Sequence, residues 1–378
     1  MRDVTGVNAK ADWRGRRVIL GPVLAFGVTV AMSGVALASG ADVTAALKTD
    51  PATASDARGA TDGADRAAAR AYRLSWGVRA IGADRLHALG LTGSGVTIAV
   101  IDSGLGDAAA GLERNLSNAS IDILPRRKAV GAGDRHAVYI AETLVGSPEG
   151  LGAVGVAYDA TVLSVRADSD GACRKECAFT AVNLAKAVDY AVSKKAQIID
   201  LSLAGDHPLG SKFEKSLAKA VKAGAVIIVA AGNDGRLQPE WPGRYAADPR
   251  FAGSVVAVGA VNKQGELANF SDRAGPARAS YIAAPGQRVV TDCDAQTCAI
   301  ISGTSFAAPH VAGAVALLMQ AFPQMSGRDA LDLLLRAAKG PGTADGDTVY
   351  GRGRLDVYRA YQLAMAERGD AVVVQAAR

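Results

Sequence analysis

Histidine is scarce in this chain of 378 residues, which holds only His87, His136, His207 and His310. A reaction needing an imidazole base therefore has four candidates. Cysteine is equally sparse, and none of the four cysteines has the C-x2-C spacing usual in zinc sites. Aromatic residues make up 5% of the chain, and no basic stripe carries them interleaved, so the composition excludes a nucleic-acid-binding surface. The pI near 9.0 does not restore that reading. Residues 1–38 hold five Lys/Arg against two Asp/Glu, so of the formal +5 only +2 is left for residues 39–378. There is no internal repeat and no sign of a second domain.

What is present is ample apolar material, 49% of residues, arranged in an alternating pattern. Strands are predicted at 96–102, 161–166, 197–203, 225–231 and 254–261, each a nearly continuous β-branched or apolar run. Helices are predicted at 136–146, 180–194, 211–223, 305–320, 327–338 and 354–366. Strands alternating with helices from Tyr72 onward imply an α/β fold with a parallel sheet covered on both faces. Ahead of it, Arg14, Arg16 and Arg17 precede an apolar run from Val18 to Ala38 that ends in Ala36-Leu37-Ala38. Residues 1–38 thus read as a secretory signal peptide or, if uncleaved, a membrane anchor, and the protein as exported. Residues 39–70 are rich in Ala, Asp, Thr and Gly without periodicity, a linker or short pro-segment. Residues 71–367 form the folded unit and 368–378 a tail.

Four segments carry chemistry. In Gly303-Thr304-Ser305-Phe306-Ala307-Ala308-Pro309-His310-Val311-Ala312-Gly313 a serine stands at the mouth of an apolar helix. Free N–H groups and the positive dipole end gather there, where a developing oxyanion could be held. A serine hydroxyl needs a base, and His136 opens an apolar stretch after a glycine-rich run. The base needs a carboxylate to fix its tautomer. Asp102 ends the buried strand 96–102, at the carboxyl edge where α/β sheets place ligands. A second strand ends in Gly232-Asn233, whose amide could donate to an oxyanion.

The order Asp102, His136, Asn233, Ser305 resembles the subtilisin-like serine proteases, the subtilases. Supporting stretches are Trp76-Gly77, Leu91-Thr92-Gly93-Ser94-Gly95-Val96, Leu151 to Ala157, Asp200 to Gly205, Ala230-Ala231-Gly232-Asn233 and Tyr350 to Asp356. The resemblance runs from about Trp76 to Leu363. It implies a three-layer fold with a mainly parallel sheet and a serine endopeptidase in which Asp102, His136 and Ser305 are catalytic. Asn233 would then complete the oxyanion hole. Polypeptide substrate would lie as an extended strand beside Ser202, Leu203, Ala204 and Gly205, near Ala231 and Gly232. Pro239 to Tyr245 resembles the floor of the first specificity pocket, and Glu240 there would favour Lys or Arg before the cut. No cofactor is required; family members often bind calcium, for which no ligands are assigned here. The sequence departs from the family in Ala137 and Val138 after the histidine, in Ala204 for Gly and in Phe306 for Met.

Export fits disulfides, expected as Cys173–Cys177 and Cys293–Cys298 among three connectivities. Zinc held by all four cysteines is the competing assignment. Two other functions stay open at this point. Gly104 to Ala109 with Asp122 loosely fits a dinucleotide fingerprint. The residues after His136 also allow a catalytically impaired, peptide-binding subtilase. An α/β-hydrolase is disfavoured, because Ser305 has no G-x-S-x-G elbow.

Overall fold

A computed structural model describes residues 6–7, 16–19, 67–106, 111–124, 127, 135–150, 152–170, 173, 177–293 and 297–376. Most of the leader, residues 39–66 of the 39–70 linker and residues 131–134 of the glycine-rich run before His136 lie outside the described residues, whereas residues 67–70, read as linker, are helical.

The core is a sheet of seven parallel strands. In chain order they are β1 (Thr97–Asp102), β2 (Ile121–Asp122), β3 (Thr161–Arg166), β4 (Ile198–Leu201), β5 (Val226–Ala230), β6 (Val255–Val261) and β7 (Tyr281–Pro285). Their order across the sheet is β7-β6-β5-β4-β1-β3-β2. A hairpin of β8 (Gln287–Thr291) and β9 (Thr297–Ser302) follows.

Alternation along each strand divides the core in two. Ile98 and Val100 of β1 face one apolar cluster, and Ala99 and Ile101 face the other. The first cluster is covered by α1 (His136–Val145), α4 (Thr304–Ala321), α5 (Gly327–Ala337) and α6 (Val357–Ala376). The second is covered by α2 (Ala181–Ser193) and α3 (Gly210–Lys222). The result is three layers, helix on sheet on helix. Helix α4 is buried from Thr304 through Leu318. Its even spread of apolar side chains suits a helix enclosed on all sides.

The five predicted strands and six predicted helices are all present, with shifted ends. Strand 197–203 stops at Leu201, so Ser202 to Gly205 leave the sheet. The helix expected to stop at 366 runs to Ala376, so the stretch read as a tail from 368 continues that helix. The short helix Trp76–Ala80 and strands β2 and β7 escaped the sequence reading, and a second short helix, Ala83–His87, ends at His87.

Candidate active site

Strand order turns at β1, whose neighbours β3 and β4 come later in the chain on opposite sides. Such a reversal opens a crevice at the carboxyl ends of the strands. Asp102, the last residue of β1, shares the face of Ile98 and Val100, and so emerges beneath α1 and α4. It is 2% exposed. Its carboxylate accepts from the Ser103 N–H at 2.6 Å and the Ser103 hydroxyl at 3.0 Å.

His136, the first residue of α1, brings its Nδ1 within 3.1 and 3.0 Å of the two Asp102 oxygens. An ionised carboxylate only accepts, so Nδ1 carries the proton and Nε2 keeps its lone pair. Ser305 lies in the first turn of α4 and is 5% exposed. The ring of its neighbour Phe306 stands 5.4 Å from the His136 imidazole and 6.5 Å from Tyr139. The aromatic residue in the methionine position thus walls the histidine. Ala137 and Val138, the two departures beside it, are core residues of α1.

The other imidazoles are accounted for otherwise. His87 donates from Nε2 to the Val156 carbonyl at 2.9 Å and accepts at Nδ1 from Tyr72 Oη, also at 2.9 Å. His310 donates from Nδ1 to the Phe306 carbonyl at 2.9 Å, and burial pushes its pKa down to about 4. His207 is exposed.

Asn233 follows β5 and is fixed through its amide oxygen. That oxygen accepts from the Thr304 N–H at 2.8 Å and the Thr304 hydroxyl at 3.0 Å, while Thr304 Oγ1 accepts from the Gly232 N–H at 3.1 Å. The oxygen being held this way, Nδ2 is the end left to donate. It lies 3.8 Å from where a Cβ on Gly303 would stand, two residues before Ser305. The sequence did not flag Thr304 as the residue that orients Asn233.

Residues 240–241 tie the segment after β4 to the end of β5 through backbone hydrogen bonds. Gly205 and Trp241 exchange backbone hydrogen bonds at 2.7 and 2.9 Å, and the Glu240 N–H donates to the Ala231 carbonyl at 2.7 Å. Glu240 is 7% exposed. Burial, reinforced by Asp272 nearby, pushes its pKa up to about 7. Gly232 has φ +119°, a conformation suited to glycine, and any Cβ there would run into Asp272 Oδ2 and come within 2.9 Å of Glu240 Cγ.

Asp200 of β4 was also missed. It pairs in register with Val100 of β1 and therefore shares the face of Asp102. It is fully buried, and Ser202 Oγ donates to it at 3.0 and 3.1 Å. Burial pushes its carboxyl up to about 8; Ser202 pulls it down, and Asp102 adds to the rise.

The sulfurs of Cys173–Cys177 and Cys293–Cys298 lie at bonding distance, 1.94 and 2.10 Å, leaving no free cysteine. A shared zinc site is thereby set aside. Asp122, the acid of the dinucleotide alternative, is engaged by Arg127 at 2.8 Å and Arg166 at 3.7 Å. Among the described residues no helix is long and apolar enough to cross a membrane.

A family model described as "Subtilase family" matches residues 93–353. The chain belongs to the subtilases. Subtilisin E of Bacillus subtilis (strain 168) is 30% identical over 298 residues, covering 77% of this subtilase and 72% of the relative. Subtilisin of Bacillus pumilus is likewise 30% identical over 298 residues, covering 77% and 100%. Among solved structures, that of the prenylagaramide maturation protease PagA shares the fold, with a TM-score of 0.60 and 24% identity over 74% of this chain and 97% of the other. This subtilase is therefore a serine endopeptidase acting on polypeptides, by a chemistry that needs no organic cofactor.

Proposed function

We propose that this subtilase is an exported endopeptidase that cuts through an acyl-enzyme on Ser305. The observation that carries the reading is the Asp102 carboxylate seated on Nδ1 of His136, with the first turn of α4 beside that ring. His136 Nε2 takes the Ser305 proton as Oγ attacks the peptide carbonyl carbon. The same nitrogen returns the proton to the leaving amine as the C–N bond breaks, and water then hydrolyses the ester. Asp102 keeps the imidazole in the required tautomer and steadies the imidazolium. Asn233 Nδ2 and the Ser305 N–H hold the oxyanion, and loss of the Asn233 donor should cost about 3–4 kcal/mol in the transition state. Substrate adds a strand along Ser202 to Gly205, with backbone hydrogen bonds supplying affinity. Its residue before the cut enters the pocket of Ala231, Gly232 and Glu240, where the carboxylate favours Lys or Arg. Residues 71–367 are the catalytic unit, and the arginine-led apolar leader supports export.

Labelling with a fluorophosphonate probe tests the assignment. Ser305 should be the modified residue in the intact protein, and Ser305→Ala should lose both label and peptide cleavage while melting at an unchanged temperature. An unlabelled Ser305 in folded protein would leave a peptide-binding role instead.

A further inference from the structure

Behind Gly232 four carboxylates converge from separate segments of the chain. Asp206 follows the Ser202 to Gly205 segment, Asp234 follows Asn233, Glu240 floors the proposed pocket, and Asp272 belongs to the loop after β6. Asp206, Asp234 and Glu240 bring oxygens within 4.8 Å of one another. A guanidinium sits among them. Arg236 Nη1 lies 2.5 Å from Asp206 and 3.0 Å from Glu240, and Nη2 lies 2.7 Å from Asp234. Asp272 is wholly buried. Its Oδ1 accepts from the backbone N–H groups of Asp234 at 3.2 Å and Arg236 at 2.6 Å. Its Oδ2 has no hydrogen-bond partner among the described residues and faces the same side of Gly232 as Glu240.

The geometry points to a cation-binding chamber at the end of the first specificity pocket, made by Asp206, Asp234, Glu240 and Asp272, in which the Arg236 side chain holds the place of a substrate's lysine or arginine. The inference rests on the basic preference proposed above and adds to it three acids and an internal competitor.

Three features support it. First, the chamber is built for positive charge: burial pushes Asp272 up to about 6, and a cation is what lets several acids remain ionised together. Second, Arg236 can leave. Its backbone is pinned, its N–H by Asp272 and its carbonyl by the Arg273 N–H at 2.8 Å, but its side chain is 35% exposed. The outer acids are also exposed, 43% for Asp206 and 47% for Asp234. Third, exchange of one guanidinium for another preserves the charge pairs, so departure of Arg236 leaves no buried acid bare once substrate enters. A site occupied part of the time by its own chain binds a ligand with correspondingly reduced apparent affinity. A neutral side chain gains nothing from the exchange and leaves the acids with Arg236.

The experiment uses the full chain, as wild type, Arg236→Ala, Glu240→Gln and the double variant. Benzamidine binding is measured by calorimetry, and kcat/KM is measured on two peptides differing only in Arg or Leu before the cut. The Arg236→Ala protein should bind benzamidine about tenfold more tightly than wild type. Its Arg-to-Leu ratio of kcat/KM should rise about tenfold, chiefly through KM for the Arg peptide. Glu240→Gln should reverse both gains. Circular dichroism melting checks each fold, and Arg236→Met, which keeps the aliphatic stem, replaces an alanine variant that does not fold. Benzamidine binding unchanged or weaker in a folded Arg236 variant, with the Arg peptide still preferred, overturns the internal competitor alone. No Arg preference in any variant, with Ser305 still reactive to the probe, overturns the basic pocket itself. Calcium that binds wild type tightly and excludes benzamidine would overturn both by assigning the acids to a metal.

Discussion

Two buried carboxyls make pH dependence a property of single residues. Glu240 titrates near 7 and faces Asp206, Asp234, Asp272 and Arg236. It must be ionised to attract a substrate cation. The Arg-to-Leu ratio of kcat/KM should therefore fall several-fold as pH drops from 8 to 5.5, and Glu240→Gln should flatten most of that slope. Asp200 acts on stability instead. Its folded pKa, about 8, lies above the ordinary 3.8, so the folded state holds a proton that the unfolded chain has released. Stability from that proton is complete below the ordinary value and is lost as pH rises through 8. Asp200→Asn has no proton to lose. Its stability relative to wild type should grow between pH 5 and pH 8, by on the order of a few kcal/mol, and level off above that. Urea melts at four pH values would measure the trend, and a constant difference would show that Asp200 is already ionised in the folded protein, as it is in the unfolded chain. This acid is plain in the sequence, standing alone in Ile198-Ile199-Asp200-Leu201. What the sequence conceals is that its face of the sheet is also that of Asp102.

At the scale of elements, α4 carries Ser305, the proposed nucleophile, and also fills the space between the sheet and α1. At Gly313 the helix packs tightly against the chain after α1, for a Cβ there would meet Val156 Cβ and Cγ1 at 2.7 Å. Gly313→Val should therefore force the two apart and cost about 1–3 kcal/mol through overpacking. Because Ser305 and His136 ride on the two sides of that contact, kcat should fall more than KM rises. Chemical denaturation and steady-state kinetics on one preparation would check both. The hairpin β8–β9 braces α1 at Glu142 and at Arg135, the residue before its first turn. Glu142 of α1 accepts from Thr291 Oγ1 at 2.9 Å and also from the Asp292 N–H, and Arg135 Nε donates to Asp292 at 2.8 Å. The Cys293–Cys298 bond closes the tip of this brace.

Across the whole molecule, the readable parts are those whose physics is local. Runs such as Val226-Ile227-Ile228-Val229 can only be buried strands, and strands alternating with helices imply the layers. The Asp102, His136, Asn233 and Ser305 segments each announce themselves by position at a strand or helix end. Cysteines four and five residues apart need no fold to find each other. Strand β7, Tyr281-Ile282-Ala283-Ala284-Pro285, is illegible because alanine and proline lack strand preference; it exists through pairing with β6. The acid chamber is illegible for a similar reason. Glu240 alone among its acids is read from the sequence; Asp206, Asp234 and Asp272 lie in ordinary polar loops, and only the folded sheet turns them toward it.

The turn of strand order at β1 has a further meaning in time. Asp102 leaves the ribosome early, His136 soon after, and Ser305 only once every strand of the main sheet has been made. A nascent polypeptide thus lacks Ser305, the proposed attacking residue, for most of its synthesis.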